Sequence, residues 1–169
     1  ALTNKTSCGR KSDYSFISFE NPDISVFDGG EFSISWEEIL WDSYSPYRDD
    51  VWLSLVNGGG IQAPVILTSS DDFNQFNHPR QTRLDGNLVL LSYVHNGEPA
   101  FITLDNSGSV VTPEISIPSG NAGHPQALQF GTEILLAWEQ YSAGTHFYYA
   151  LLDGSTYAVD LGPVELTNP

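Results

Sequence analysis

The sequence holds one cysteine, no methionine and only six lysines and arginines among 169 residues. It has no apolar run near the ~18 residues that a membrane-crossing helix needs. The single thiol, Cys8, cannot build an internal disulfide framework. Against the six basic residues stand 21 acidic ones, for a net charge of −15. Such a charge repels phosphate backbones and anionic lipid surfaces, which argues against nucleic-acid binding and membrane insertion. Residues 1–10 lack the apolar segment of a secretion signal, so any signal is expected to have been removed already. Helical pattern is also missing, because the one short candidate, residues 37–42, is cut off by Ser43, Ser45 and Pro46.

What is present is a repeat. Asn21-Pro22, His78-Pro79 and His124-Pro125 are spaced 57 and 46 residues apart. An aromatic ends an apolar run at Trp36, Tyr93 and Trp138, which lie 14, 14 and 13 residues beyond their prolines. A second apolar run then ends in a turn residue at Asn57, Asp105 and Asp153, and a further proline follows at Pro64, Pro113 and Pro163. Each of these leads into a last apolar stretch. Residues 32–36 alternate strictly between apolar and polar, as a half-buried strand does. Residues 88–93 and 134–138 are apolar on both faces, as expected for strands covered on both sides. Gly, Asn and Asp clusters at 28–30, 57–60, 85–87, 106–108 and 153–155 supply turns.

Four short strands per unit of about 45 residues, packed in series, predict an all-β fold of β-propeller type, with three four-stranded antiparallel blades. The units are placed at residues 13–68, 73–118 and 121–167 of one propeller segment, 1–169. A parallel β-helix needs shorter coils, and an immunoglobulin-like sandwich does not repeat its pattern three times. Residues 1–4 and 165–168 match the same phase of the repeat. The chain is therefore expected to be a piece of a longer propeller, or to complete a ring with a second copy. In either case the first and last blades expose apolar faces.

Units that run from His-Pro through an apolar stretch ending in Trp or Tyr, then Tyr-Tyr-Ala-Leu-Leu-Asp, a turn, Pro and Leu-Thr resemble the propeller repeats of large secreted bacterial surface proteins. Those are sialidase-like in shape. The resemblance implies a fold and a secreted or cell-surface location, but not sialidase activity. The nearest turn to an Asp-box, residues 105–108, lacks the closing Trp, and the only arginines are Arg10, Arg48, Arg80 and Arg83.

The longest unit carries its surplus between Trp36 and Trp52, and length variation in repeats maps to loops. This insert, residues 37–50, combines three aromatics with five carboxylates. Trp41, Asp42, Tyr44, Tyr47, Asp49 and Asp50 are the candidate ligand-binding residues, because rings stack on sugars or anchor a protein partner and carboxylates accept hydroxyl hydrogen bonds. The bland alternative is that the rings pack on a neighbouring blade and the acids are solvated. A glycosidase needs two carboxyls ~5 to 9.5 Å apart. Glu37, Asp42 and Asp50 are nominated, although no spacing singles them out. His78 and His124 occupy equivalent positions with Asn21, which favours a hydrogen-bonding role over a metal site. His95 and His146 have no carboxylate or histidine partner at ligand spacing.

No cofactor is expected. Calcium is possible at residues 69–72 or at Asp49-Asp50, where hard oxygen ligands abound. Asn4-Lys5-Thr6 fits a glycosylation acceptor by pattern. The first functional reading is a non-catalytic extracellular scaffold or binding module for a carbohydrate or protein ligand. The alternatives are a carbohydrate-active enzyme and a structural filament component.

Overall fold

A computed structural model describes residues 16–42, 45–68 and 76–166, with side chains over 17–40, 49–68 and 77–166. Among the described residues, thirteen strands build three antiparallel sheets in chain order. The first blade is β1 (Phe16–Val26), β2 (Phe32–Asp42) and β3 (Ser45–Asn57), with the outer position split between β4 (Gly60–Ile61) and β5 (Val65–Ile66), which both pair with β3. The second is β6 (Phe76–Leu84), β7 (Leu88–His95), β8 (Glu98–Leu104) and β9 (Val110–Ser116). The third is β10 (Ala122–Phe130), β11 (Glu133–Tyr141), β12 (Thr145–Asp153) and β13 (Val159–Glu165). These are three blades of a β-propeller. A 3₁₀ turn, Asp85–Asn87, joins β6 to β7, with Gly86 at φ 71°.

The turns into the outer strands use one device three times. Asn57 Oδ1 accepts from Gly59 N at 2.9 Å. Asp105 Oδ1 accepts from Ser107 N at 2.8 Å and Ser109 N at 3.0 Å. Asp153 Oδ1 accepts from Ser155 N at 3.0 Å and Thr156 N at 2.7 Å. A short side-chain oxygen thereby replaces a backbone partner and closes the turn. The hydrogen bonds from Ser107 and from Ser155 and Thr156 hold the Asp105 and Asp153 carboxyls below the ordinary range.

The core lies between the sheets. Val51 and Leu53 of the first blade meet Leu91, Tyr93, Ala100, Ile102 and Leu104 of the second. On the other side of the second blade, Leu90 and Phe101 meet Ile134, Leu136, Trp138, Ala150 and Leu152 of the third. Successive residues of β7 thus serve opposite interfaces, and the strand is buried nearly throughout. The sequence predicts the same for β11, yet β11 alternates: Leu136 is fully buried, whereas Leu135 and Ala137 on the opposite face are only half-buried. That face, continued by Leu128, Phe130, Phe147 and Leu161, is apolar and open. The far face of the first blade is similar, with Ile24, Val26 and Ile61 exposed beside the stacked rings of Trp36 and Trp52. Exposed apolar faces on the two end blades are what three blades in series imply.

The two faces of one sheet predict opposite mutational outcomes. Leu136→Ala, at a closed interface, is expected to destabilise by ~2–5 kcal/mol. Leu128→Asp, on the open face, should stay within ~0.5 kcal/mol. Urea denaturation of both variants checks this, and equal losses would contradict the assignment of faces.

Candidate functional site

The three X-Pro pairs fall at one structural position. In each innermost strand the register shifts where two residues oppose one: between Glu20 and Asp23, between Asn77 and Arg80, and between Gly123 and Gln126. The unmatched dipeptides are Asn21-Pro22, His78-Pro79 and His124-Pro125, and the single residues opposite them are Trp36, Tyr93 and Trp138. The aromatic register read in the sequence is therefore a bulge register. Proline has no N–H to give to a ladder and is tolerated inside a sheet at a bulge. Asn21, His78 and His124 adopt φ of 48°, 55° and 50°, a region that Asn and His enter more readily than most residues.

These bulges bring the side chains of one end of the axis together. The rings of His78 and His124 lie 4.0 Å apart between centroids. Asn21 Nδ2 donates to Glu37 Oε2 at 2.7 Å, and the His78 backbone N–H donates to the same oxygen at 3.1 Å. His78 Nδ1 and Asn77 Oδ1 are 3.0 Å apart. Glu37 follows Trp36 on β2 and pairs with Val51, while Asp49 lies two residues before Val51 on β3. Cross-strand partners share a face, so Glu37 and Asp49 are diagonal neighbours on the side toward the second blade. Such neighbours are ~7–8 Å apart. Glu38 and Asp50 oppose each other on the other face. All four acids are buried, with Glu37 3% exposed, Asp49 5% and Asp50 0%.

Burial penalises charge, and the titrations follow from it. Desolvation, reinforced by Glu37, Asp50 and Glu20, pushes the Asp49 carboxyl up to about 7, against a hydrogen bond from Asn77. Desolvation also raises Glu37, opposed by the hydrogen bonds from Asn21 and His78 N–H. Desolvation, then repulsion from His124 and Arg80, brings the His78 imidazole down to about 4. Near neutrality the site thus holds a neutral imidazole and a carboxylic acid retaining much of its proton.

One step further along the inner strands sits a second set of equivalent residues. Asp23, Arg80 and Gln126, each the first residue after its bulge, line a cavity of about 330 Å³ together with Gln81, Thr82 and Ala127. Gln81 ties this set to the first blade, since its N–H donates to Asp23 Oδ2 at 2.6 Å and its Nε2 donates to Ser35 Oγ at 3.1 Å.

The structure corrects several sequence expectations. The insert at 37–50 is not a loop: it extends β2 and β3 as a hairpin paired down to Asp42 and Ser45, and its near part pairs with β1. Asp49 and Asp50 are buried rather than solvated, Asp49 on the face toward the second blade and Asp50 on the opposite face of the same strand. Trp41 and Asp42 end β2 and Tyr47 lies in β3, but their side chains, like Tyr44, are outside the described residues. So are residues 69–72 and Asn4-Lys5-Thr6. His95 and His146 do have carboxylate partners: His95 Nδ1 lies 2.6 Å from Glu114 Oε1, and His146 Nδ1 lies 2.8 Å from Glu165 Oε1. Sequence spacing missed both because the partners sit across a sheet. Among the described residues, no group of three His, Cys, Asp or Glu side chains is placed to hold a metal. The Glu37–Asp49 pairing was also missed, although Glu37 was nominated, because it depends on the hairpin register.

No protein-family model matches the sequence, and no curated protein matches it. Solved structures do. A protein of unknown function from Dyadobacter fermentans DSM 18053 superposes with a TM-score of 0.61 at 18% identity, over 80% of this chain and 38% of that one. A Bacteroides ovatus protein described as Xyloglucan PUL GH43B gives 0.56 at 15% identity, over 93% and 30%. The GH43 BlXynB protein from Bacillus licheniformis gives 0.59 at 13% identity, over 86% and 30%. The chain spans about a third of the length of these proteins. At such identities the likeness establishes the propeller fold alone.

Two linked titrations make a stability prediction with opposite signs. Asp49, raised in the fold, contributes stability below its unfolded value of about 3.9 that is lost as pH climbs through about 7. His78, lowered in the fold, contributes stability above about 6.5 that is lost as pH falls toward about 4. Asp49→Asn should therefore gain on the wild type as pH rises from about 5 to 8, and His78→Asn should gain as pH falls from about 7 to 4. Thermal melts across that range check both signs, and parallel curves for all three proteins would contradict the buried pair.

Proposed function

We propose that the chain belongs to a carbohydrate-active propeller enzyme, with Glu37 and Asp49 as its reacting carboxyl pair. The observation that carries this reading is an acid, Asp49, held protonated to about 7 beside a second carboxyl whose oxygen is bound by Asn21 and by the His78 N–H. Environments that push two carboxyl groups apart in function assign acid and base. Asp49 gives its proton to the glycosidic oxygen as the C–O bond breaks. Glu37 takes a proton from the water that attacks the anomeric carbon. The neutral His78 and exposed His124 stand where sugar hydroxyls would be bound. The likeness to two GH43 proteins, one of them described with xyloglucan, supports a glycan as the substrate class. A polymeric glycan in turn favours a secreted or cell-surface location.

A non-catalytic binding module is the second reading, favoured by the slight exposure of Glu37 and Asp49. Turnover separates the two. Hydrolysis of a panel of aryl glycosides and xylo-oligosaccharides should fall by ~10²-fold or more in Asp49→Asn and Glu37→Gln. It should also decline on the alkaline side near the Asp49 value of about 7. Saccharide binding without turnover would establish the scaffold reading instead, and hydrolysis unchanged in both variants would remove the pair from the mechanism.

A further inference from the structure

We infer that the cavity lined by the inner strands next to the histidine layer is a subsite for an acidic sugar, a hexuronate, with Arg80 as the residue that grips its carboxylate. That the ligand is a sugar rests on the carbohydrate-active reading. That it is an acid rests on Arg80 itself. The described side chains include two cations, Arg80 and Arg83. Arg83 is paired with Asp28. Among the described residues the Arg80 guanidinium has neither an ion-pair nor a hydrogen-bond partner, although the chain carries a net charge of −15.

The one acid among the described lining residues, Asp23, is already engaged. Asp23 Oδ2 accepts from Gln81 N at 2.6 Å, and its Oδ1 accepts from Ile24 N at 3.0 Å. Arg80 is therefore a half-buried cation beside a polar cavity, with its five-donor fork unspent. A planar carboxylate is the group that matches such a fork through two parallel hydrogen bonds. The rest of the wall suits a polyol. Gln126 offers both an acceptor and two donors, and Gln81 and Thr82 line the same space. The volume, about 330 Å³, falls at the lower end of small-ligand pockets, which run ~300–1,000 Å³. It suits one sugar ring rather than an oligomer. The histidine layer lies one step along the same inner strands, and the His78 N–H donates to Glu37 of the reacting pair, so a uronate held here would be a unit or branch adjoining the reacting bond.

The test is direct binding, read by NMR shift titration of the protein with D-glucuronate, D-glucose and acetate, and it needs no turnover. Glucuronate is expected to shift axial signals, including those of His78, while glucose and acetate do so at least tenfold more weakly. Arg80→Gln should abolish the preference, and Arg80→Lys should retain only part of it, because an ammonium keeps the charge without the fork. Unchanged spectral dispersion in both variants controls for folding. If glucose binds as well as glucuronate and Arg80→Gln changes nothing, the acidic specificity is overturned while the carbohydrate reading stands. If acetate binds as tightly as glucuronate, the site is an anion site and the sugar is overturned. Absence of binding by all three overturns the subsite.

Discussion

The arrangement depends on one local constraint, the proline in each innermost strand. A proline cannot donate to a ladder and is tolerated within a sheet at a bulge; each of these strands bulges at its proline, and the residue before it adopts a positive φ. In a lone sheet that would be a defect at one edge. Here the edge is the axis, and the same defect recurs at the same height in three blades, at Asn21, His78 and His124. Each bulge turns a polar side chain toward its counterparts. Each also resets the strand, so that the first residue beyond it, Asp23, Arg80 or Gln126, lines the cavity. Two layers of chemistry therefore follow from one backbone irregularity.

The first blade adds what the other two lack. Its second and third strands run past the bulge as a longer hairpin, and this extension carries Glu37 and Asp49 to the face against the second blade. An acid in an extended hairpin tip would ordinarily be hydrated. In this fold the neighbouring blade excludes water, and a desolvated carboxyl lowers its cost by keeping its proton unless donors hold its charge. Asn21 and the His78 N–H are such donors for Glu37. Asp49 has fewer, with Oδ1 buried and without a partner. The asymmetry between two chemically similar acids is thus set by which of them the bulge residues reach.

The architecture was legible in the sequence because it is periodic. The spacing from Pro22 to Trp36, and its two echoes, encodes the opposition of bulge and aromatic, and the turn residues Asn57, Asp105 and Asp153 close equivalent turns. The candidate site was legible only in part. Glu37, Asp49 and Asp50 stood out as carboxylates, but their burial and pairing depend on strand register, which composition does not record. The insert looked like a loop because Ser43, Ser45 and Pro46 resemble a turn cluster, whereas the segments on either side of it pair as strands. His95 and His146 appeared isolated since Glu114 and Glu165 lie 19 residues away in each case, a separation that only a folded sheet brings within hydrogen-bond reach.

The equivalence of the blades also explains why the two interfaces differ in character. Trp36, Tyr93 and Trp138 hold the same position and point the same way around the axis. Tyr93 enters the interface between the first and second blades, and Trp138 that between the second and third. Opposite them the residues are small, Ser35, Ser92 and Ala137, each paired with the first residue after its bulge. Ser92 Oγ donates to Pro125 O at 3.1 Å, and Ser35 Oγ accepts from Gln81 Nε2 at 3.1 Å. A hydroxyl at this position therefore bonds the next blade's inner strand directly and locks the two bulges to one another. Ala137 has no hydroxyl, and it lies on the open face of the third blade. The interblade hydrogen bond from this position is thus confined to the two closed interfaces, the same two that align Asn21, His78 and His124 around the site.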